Sequence, residues 1–126
     1  MGPFSFRKEE RLTKRKDIQE LFEKGSSFHL YPFRVFVMPA SGTTHQVLIS
    51  VPNKVFRKAV VRNLLKRRIR EAYRLQKHKL PKSGKLVVGF VYTGKEVLPY
   101  AEIQQKVVLA LGKAEKYLRQ KSTRDE

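Results

Sequence analysis

A chain of 126 residues suits one domain with a modest core. Its 28 Lys and Arg outweigh 11 Asp and Glu for a net charge of +17, a field that opposes compaction and draws polyanions, nucleic acid first and an anionic membrane surface second. The absence of cysteine excludes disulfides and thiolate metal sites.

The opening MGPFSFRKEERL lacks the apolar run of a signal peptide. No apolar run approaches the ~20 residues that span a bilayer. The expectation is a soluble, cytoplasmic protein. Residues 1–10 mix Gly, Pro, Phe and charge without a period and read as a flexible arm. Ile18, Leu21 and Phe22 lie at i, i+3, i+4, one side of a short helix from about Thr13 to Lys24. Thr13 is placed to cap it and Gly25 to end it in the left-handed conformation. Tyr31–Met38 (YPFRVFVM) is rich in aromatic and branched residues and reads as a strand. Residues 40–44, ASGTT, are a turn cluster, and Gln46–Val51 is a second strand, so 31–51 reads as a hairpin. A long helix follows from about Arg57 to Lys79, stopped by Pro81, Ser83 and Gly84. Lys85–Tyr92 (KLVVGFVY) is the next strand, with Gly89 a bulge or close-approach point. The last helix runs from about Pro99 to Arg119, and residues 120–126 read as a frayed tail. The fold class is therefore α+β, a small central sheet packed with helices in the order α-β-β-α-β-α. An extra short strand before the long helix is an open alternative.

The long helix carries the strongest signal. On a wheel of about 100° per residue with Arg62 at zero, Lys66, Arg70, Asn63, Arg74 and Arg67 fall between about 40° and 140°. Leu64, Leu75, Val61, Ala72, Leu65 and Ile69 occupy about 200–340°. One side packs on the sheet and the other displays cations. Arg68 falls in the apolar sector and is expected to snorkel past the sheet edge. From Lys54 to Lys79 there are eleven Lys and Arg and one acid, Glu71. Solvated helix surfaces usually mix signs, and like charges at i, i+4 cost about 0.2–0.5 kcal/mol each. A polyanion partner offsets that cost. Arginine dominates, and its planar fork suits phosphate.

Catalytic chemistry is thin. His29, His45 and His78 are scattered without ligand spacing, and no carboxylate pair resembles a metal clamp. No GxGxxG, GKS/T or GxSxG occurs. The chain alone is not expected to hydrolyse anything.

RNLLKRRIRE at 62–71, preceded by ISV and a Lys-rich turn, resembles the central signature of the bacterial ribonuclease P protein subunit. RLTKRKDIQELFEKGSSF resembles that family's opening helix and the turn after it. The likeness covers about residues 11–118. It implies an α/β sandwich domain over 11–119 with a left-handed βαβ crossover, also seen in domains of ribosomal proteins and translation factors. It implies a partner, a catalytic RNA that removes the 5′ leader of precursor tRNA using Mg²⁺ held mainly by the RNA. It implies no catalytic residue, metal or membrane contact of the protein's own, and a monomer within the holoenzyme. By match to the signature, Arg62, Asn63, Lys66, Arg67 and Arg70 contact the catalytic RNA, and Arg74 continues that stripe. Leu64 stands where Arg is usual and Arg68 where an apolar residue is usual, which moves charge around the helix. The family's leader cleft, between first helix and sheet, maps onto Arg11, Lys14, Ile18, Phe22, Phe36, Ser50 and Lys54. Aromatic stacking beside a basic groove is also how single strands are held, at roughly 1–3 kcal/mol per base. Phe22 and Phe36 equally suit plain core, and Phe33 belongs to the other side of its strand. The alternative function is a stand-alone RNA- or ribosome-binding protein of similar fold. A membrane-surface role lacks an aromatic rim beside the cations.

Overall fold

Burial alternates along the strand Phe33–Pro39: Phe33, Val35 and Val37 are buried, Arg34 is exposed, and Phe36 and Met38 are half-buried. That period of two divides the sheet into two unequal faces. The computed structural model describes residues 10–40, 44–80 and 84–125. In chain order the elements are α1 (Arg15–Lys24), β1 (Ser26–Leu30), β2 (Phe33–Pro39), β3 (Gln46–Ser50), α2 (Ala59–Gln76), β4 (Leu86–Tyr92) and α3 (Tyr100–Asp125). A 3-10 turn at Lys77–Lys79 extends α2.

The strands lie in the order β1-β2-β4-β3. β4 is antiparallel to β2 and parallel to β3, so α2 is the crossover between two neighbouring parallel strands. The hairpin expected over 31–51 does not form, because β4 inserts between its two strands. The hairpin present is β1–β2, with Leu30 opposite Phe33. Tyr31 and Pro32 make its turn and do not begin a strand. β1 is the strand the sequence reading missed, and it does precede the long helix. It is an edge strand in which only Phe28 and Leu30 reach the core, and they are half-buried.

The large core lies between one sheet face and the helices α2 and α3. Leu65, Ile69, Ala72 and Tyr73 meet Phe33, Val88, Phe90 and Tyr92, with Ile103, Val107 and Ala110 from α3. The opposite face carries a small core under α1, built from Leu12, Leu21 and Val87 with Ile18, Phe36, Met38 and Leu48. Leu21 is fully buried, a contribution of about 1.5–3 kcal/mol. It seats directly on Gly89, where an added Cβ would lie 2.9 Å from Leu21 Cδ2. Gly89 is thus a close-approach point in an unbroken ladder, not a bulge.

Two expected caps are absent. Lys14 occupies the position before α1, without a side-chain cap bond, and Thr13 lies outside the helix. Gly25 has an extended backbone (φ −71°, ψ 151°). It is small for another reason: a Cβ there would meet the Leu21 carbonyl oxygen and the Val37 carbonyl oxygen at 3.2 Å or less. At the far end α3 continues to Asp125, past the expected stop at Arg119. The expected arm apart from Glu10, most of the 40–44 turn and the Pro81 stop lie outside the described residues. Among the described residues no helix is long and apolar enough to cross a membrane.

Candidate nucleic-acid interface

α2 is buried along Leu65, Ile69, Ala72 and Tyr73. Tyr73 falls at about 20° on the wheel, so the buried side is rotated toward Arg62 relative to the aliphatic set alone. Leu64, Leu75 and Val61 are only half-buried. The rotation decides what each cation does.

Arg62, next to the buried side, folds back onto the turn before the helix. Its Nη1 donates to Asn53 Oδ1 at 3.1 Å and to the carbonyls of Phe56 and Arg57 at 2.8 and 2.6 Å. Arg68 does not snorkel past the sheet edge; its Nη1 donates to the Leu98 carbonyl at 2.6 Å, tying α2 to the segment that enters α3. Arg74 forms an ion pair with Glu71 at 2.5 Å. The Arg74 hydrogen bond holds the Glu71 carboxyl below its usual range, and Glu71 in turn raises Arg74. Burial pushes up the hydroxyl of nearby Tyr100.

Asn63, Arg67 and Arg70 are exposed and Lys66 is half-buried. Among the described residues, Lys66, Arg67 and Arg70 form no ion pair. The stripe is therefore uncompensated in its middle and tethered at both ends. A like-charged surface of this kind has the chemistry to bind phosphates through bidentate arginine contacts.

The second surface lies across the sheet, beside α1. Phe22 is 42 % exposed and meets half-buried Phe36 edge-on, with ring centroids 4.9 Å apart. Ile18 is half-buried in the small core beneath them. Ser50 shares this face by alternation from Leu48. Exposed Lys54 lies in the turn that follows. Lys14 is exposed at the start of α1, and Arg11 bridges to Val47 along the outer edge of β3. The structure thus brings Ile18, Phe22 and Phe36 into one cluster and spreads Arg11, Lys14, Ser50 and Lys54 around it.

Two residues on this surface were missed. Arg34 lies with its Cζ 5.4 Å from the Phe36 ring centroid. Strand alternation, already applied to separate Phe33 from Phe36, places Arg34 on the Phe36 side. Arg15 is exposed and lies on one helix stripe with Ile18 and Phe22 at i, i+3, i+7. His45 is structural: its Nδ1 accepts the Leu86 N–H at 3.0 Å. Among the described residues no group of three His, Cys, Asp or Glu could hold a metal ion.

The family model described as Ribonuclease P matches residues 6–115. The chain belongs to this family. A Citrifermentans bemidjiense ribonuclease P protein component is 35% identical over 116 residues, covering 92% of this chain and 97% of its own. A Porphyromonas gingivalis ribonuclease P protein component is 46% identical over 82 residues, or 61% of this chain; the match spans 58% of that relative's length. Among solved structures, the Staphylococcus aureus RNase P protein superposes with TM-score 0.70 at 26% identity, over 84% of this chain and 95% of that one. The Thermotoga maritima RNase P protein gives TM-score 0.70 at 26% identity, over 81% and 94%. The expected α+β fold with its helix-covered sheet is the family's fold.

Proposed function

We propose that this ribonuclease P family chain is the protein subunit of the ribonucleoprotein that removes 5′ leaders from precursor tRNA. The observation that carries the reading is the uncompensated trio Lys66, Arg67 and Arg70 on a helix whose other cations are tied into the protein. The trio, with Asn63 between them, docks on the structured catalytic RNA. Arg62 and Arg74 flank it and hold the helix ends and their own geometry. The cluster of Phe22 and Phe36, with Lys14, Ser50 and Lys54 near it, holds the single-stranded leader by stacking and charge. The two surfaces lie on opposite sides of the sheet, so one monomer touches catalytic RNA and leader at once.

The donor set does not suit Mg²⁺, which takes oxygen ligands from clustered carboxylates or phosphates. The described acids are dispersed, and two of them are paired, Glu10 with Lys77 and Glu71 with Arg74. On this reading Mg²⁺ and the hydrolytic step belong to the RNA, and the protein supplies phosphate neutralisation and leader contacts. Reconstitution at low Mg²⁺ tests it. Adding the protein to the catalytic RNA should accelerate leader removal; no gain over RNA alone would favour a stand-alone RNA- or ribosome-binding protein.

A further inference from the structure

Glu71 is the one acid between Lys54 and Lys79, and it lies at about 180° on the α2 wheel. That position borders both the cationic stripe and the flank that meets α3, where Arg68 reaches the Leu98 carbonyl. Glu71 holds Arg74 by a two-point contact: Nη2 donates to Oε1 at 2.5 Å and Nε to Oε2 at 3.2 Å. Both side chains are partly exposed, 32% for Arg74 and 47% for Glu71, and ion pairs this open to water add little to stability. The pair is therefore easy to exchange. Tyr100, the first residue of α3, packs on the large core. Its hydroxyl is buried without a hydrogen-bond partner among the described residues. Glu71 and Arg74 are the charges that act on that hydroxyl. Buried polar groups are nearly always hydrogen-bonded, and a carboxylate is a strong acceptor for an O–H. A donor lacking an acceptor thus sits beside an acceptor held by an exchangeable partner.

We propose that Glu71 is a two-position latch on Arg74 that makes α2 selective for structured RNA. This rests on the RNA-docking reading of α2 given above. Without RNA, Glu71 holds Arg74 and masks it. When phosphates of the catalytic RNA occupy Lys66, Arg67 and Arg70 together, the next phosphate along the stripe takes Arg74. The released carboxylate turns about its side-chain bonds and accepts the Tyr100 O–H, which withdraws its charge from the RNA side. A polyanion that touches the trio without reaching Arg74 leaves the latch closed and meets the Glu71 charge.

The test measures binding of the full chain to the catalytic RNA and to poly(U), an unstructured polyanion, together with melting of the protein alone. Tyr100→Phe removes a hydroxyl that has no partner in the protein alone, so its melting curve should match that of the unsubstituted chain. It should weaken binding to the catalytic RNA about tenfold, the loss of one hydrogen bond to a charged group, and leave poly(U) binding unchanged. That defect should vanish in a Glu71→Ala background, where no carboxylate needs the hydroxyl. Glu71→Ala itself should strengthen poly(U) binding more than binding to the catalytic RNA. In the same background Arg74→Ala should make the slope of log K against log salt for the catalytic RNA shallower by about 0.7–0.9, one phosphate contact. If Tyr100→Phe binds the catalytic RNA normally, weakens both ligands alike, or is equally harmful with and without Glu71, the latch is wrong and the docking reading stands. A lower melting temperature of Tyr100→Phe, or an unchanged salt slope on loss of Arg74, would also overturn the latch. If the Arg67→Ala/Arg70→Ala variant binds the catalytic RNA with unaltered affinity and salt slope, the docking reading fails, and the latch with it.

Discussion

Arg62→Ala separates a structural cation from the ones proposed to dock on RNA. Arg62 reaches three acceptors, Asn53 Oδ1 and the carbonyls of Phe56 and Arg57, from one nitrogen. Nη1 carries two hydrogens, so the three contacts amount to two full hydrogen bonds. At about 1 kcal/mol net each, with some loss to solvent, their removal costs about 1.5–2 kcal/mol. For a chain of this size that is about 6–8 °C in Tm. Arg67→Ala, at an exposed position without a partner among the described residues, should stay within about 0.5 kcal/mol. Urea or thermal unfolding of the two variants, followed by circular dichroism, gives both values. Equal stability of Arg62→Ala and Arg67→Ala would refute the assignment of Arg62 as the clamp on the turn before α2.

Gly89→Ala places a methyl 2.9 Å from Leu21 Cδ2 and should cost about 1–3 kcal/mol by lifting α1, with weaker precursor binding. Gly112→Ala, where an added Cβ meets nothing within 4 Å, should instead stabilise α3 by about 0.5–1 kcal/mol; urea midpoints compare the pair. Burial pushes the Tyr73 hydroxyl far above the ordinary value near 10, and Tyr92 and Tyr100 shift in the same direction. A raised folded-state pKa leaves stability intact below the unfolded value and removes it as pH rises toward the folded one. Stability should therefore fall above about pH 10, and Tyr73→Phe should flatten that alkaline limb in a pH series of unfolding curves.

The elements with strong periodicity were legible in the sequence: α1 through Ile18, Leu21 and Phe22, β4 through its apolar run, and α2 through its two-sided wheel. Strand pairing was not. Chain proximity favoured joining β2 to β3, but the partner of both is β4, separated from them by a helix. β1 escaped because an edge strand with polar residues facing outward has little apolar signal. On α2, omission of Tyr73 from the apolar set hid the rotation that turns Arg62 inward. Arg68 looked out of place because its acceptor, the Leu98 carbonyl, is 30 residues away. Arg67 and Arg70 were readable because exposed charge on a fixed helix needs no tertiary partner to define it. Arg34 was readable in principle from the same alternation that separated Phe33 from Phe36.

The most direct measurement is the salt dependence of protein binding to the catalytic RNA, compared between the unsubstituted chain and the Arg67→Ala/Arg70→Ala double variant. Loss of two phosphate contacts should make the log K against log salt slope shallower by about 1.4–1.8, with an unchanged melting curve. An identical slope in both proteins would contradict the assignment of these arginines to the RNA.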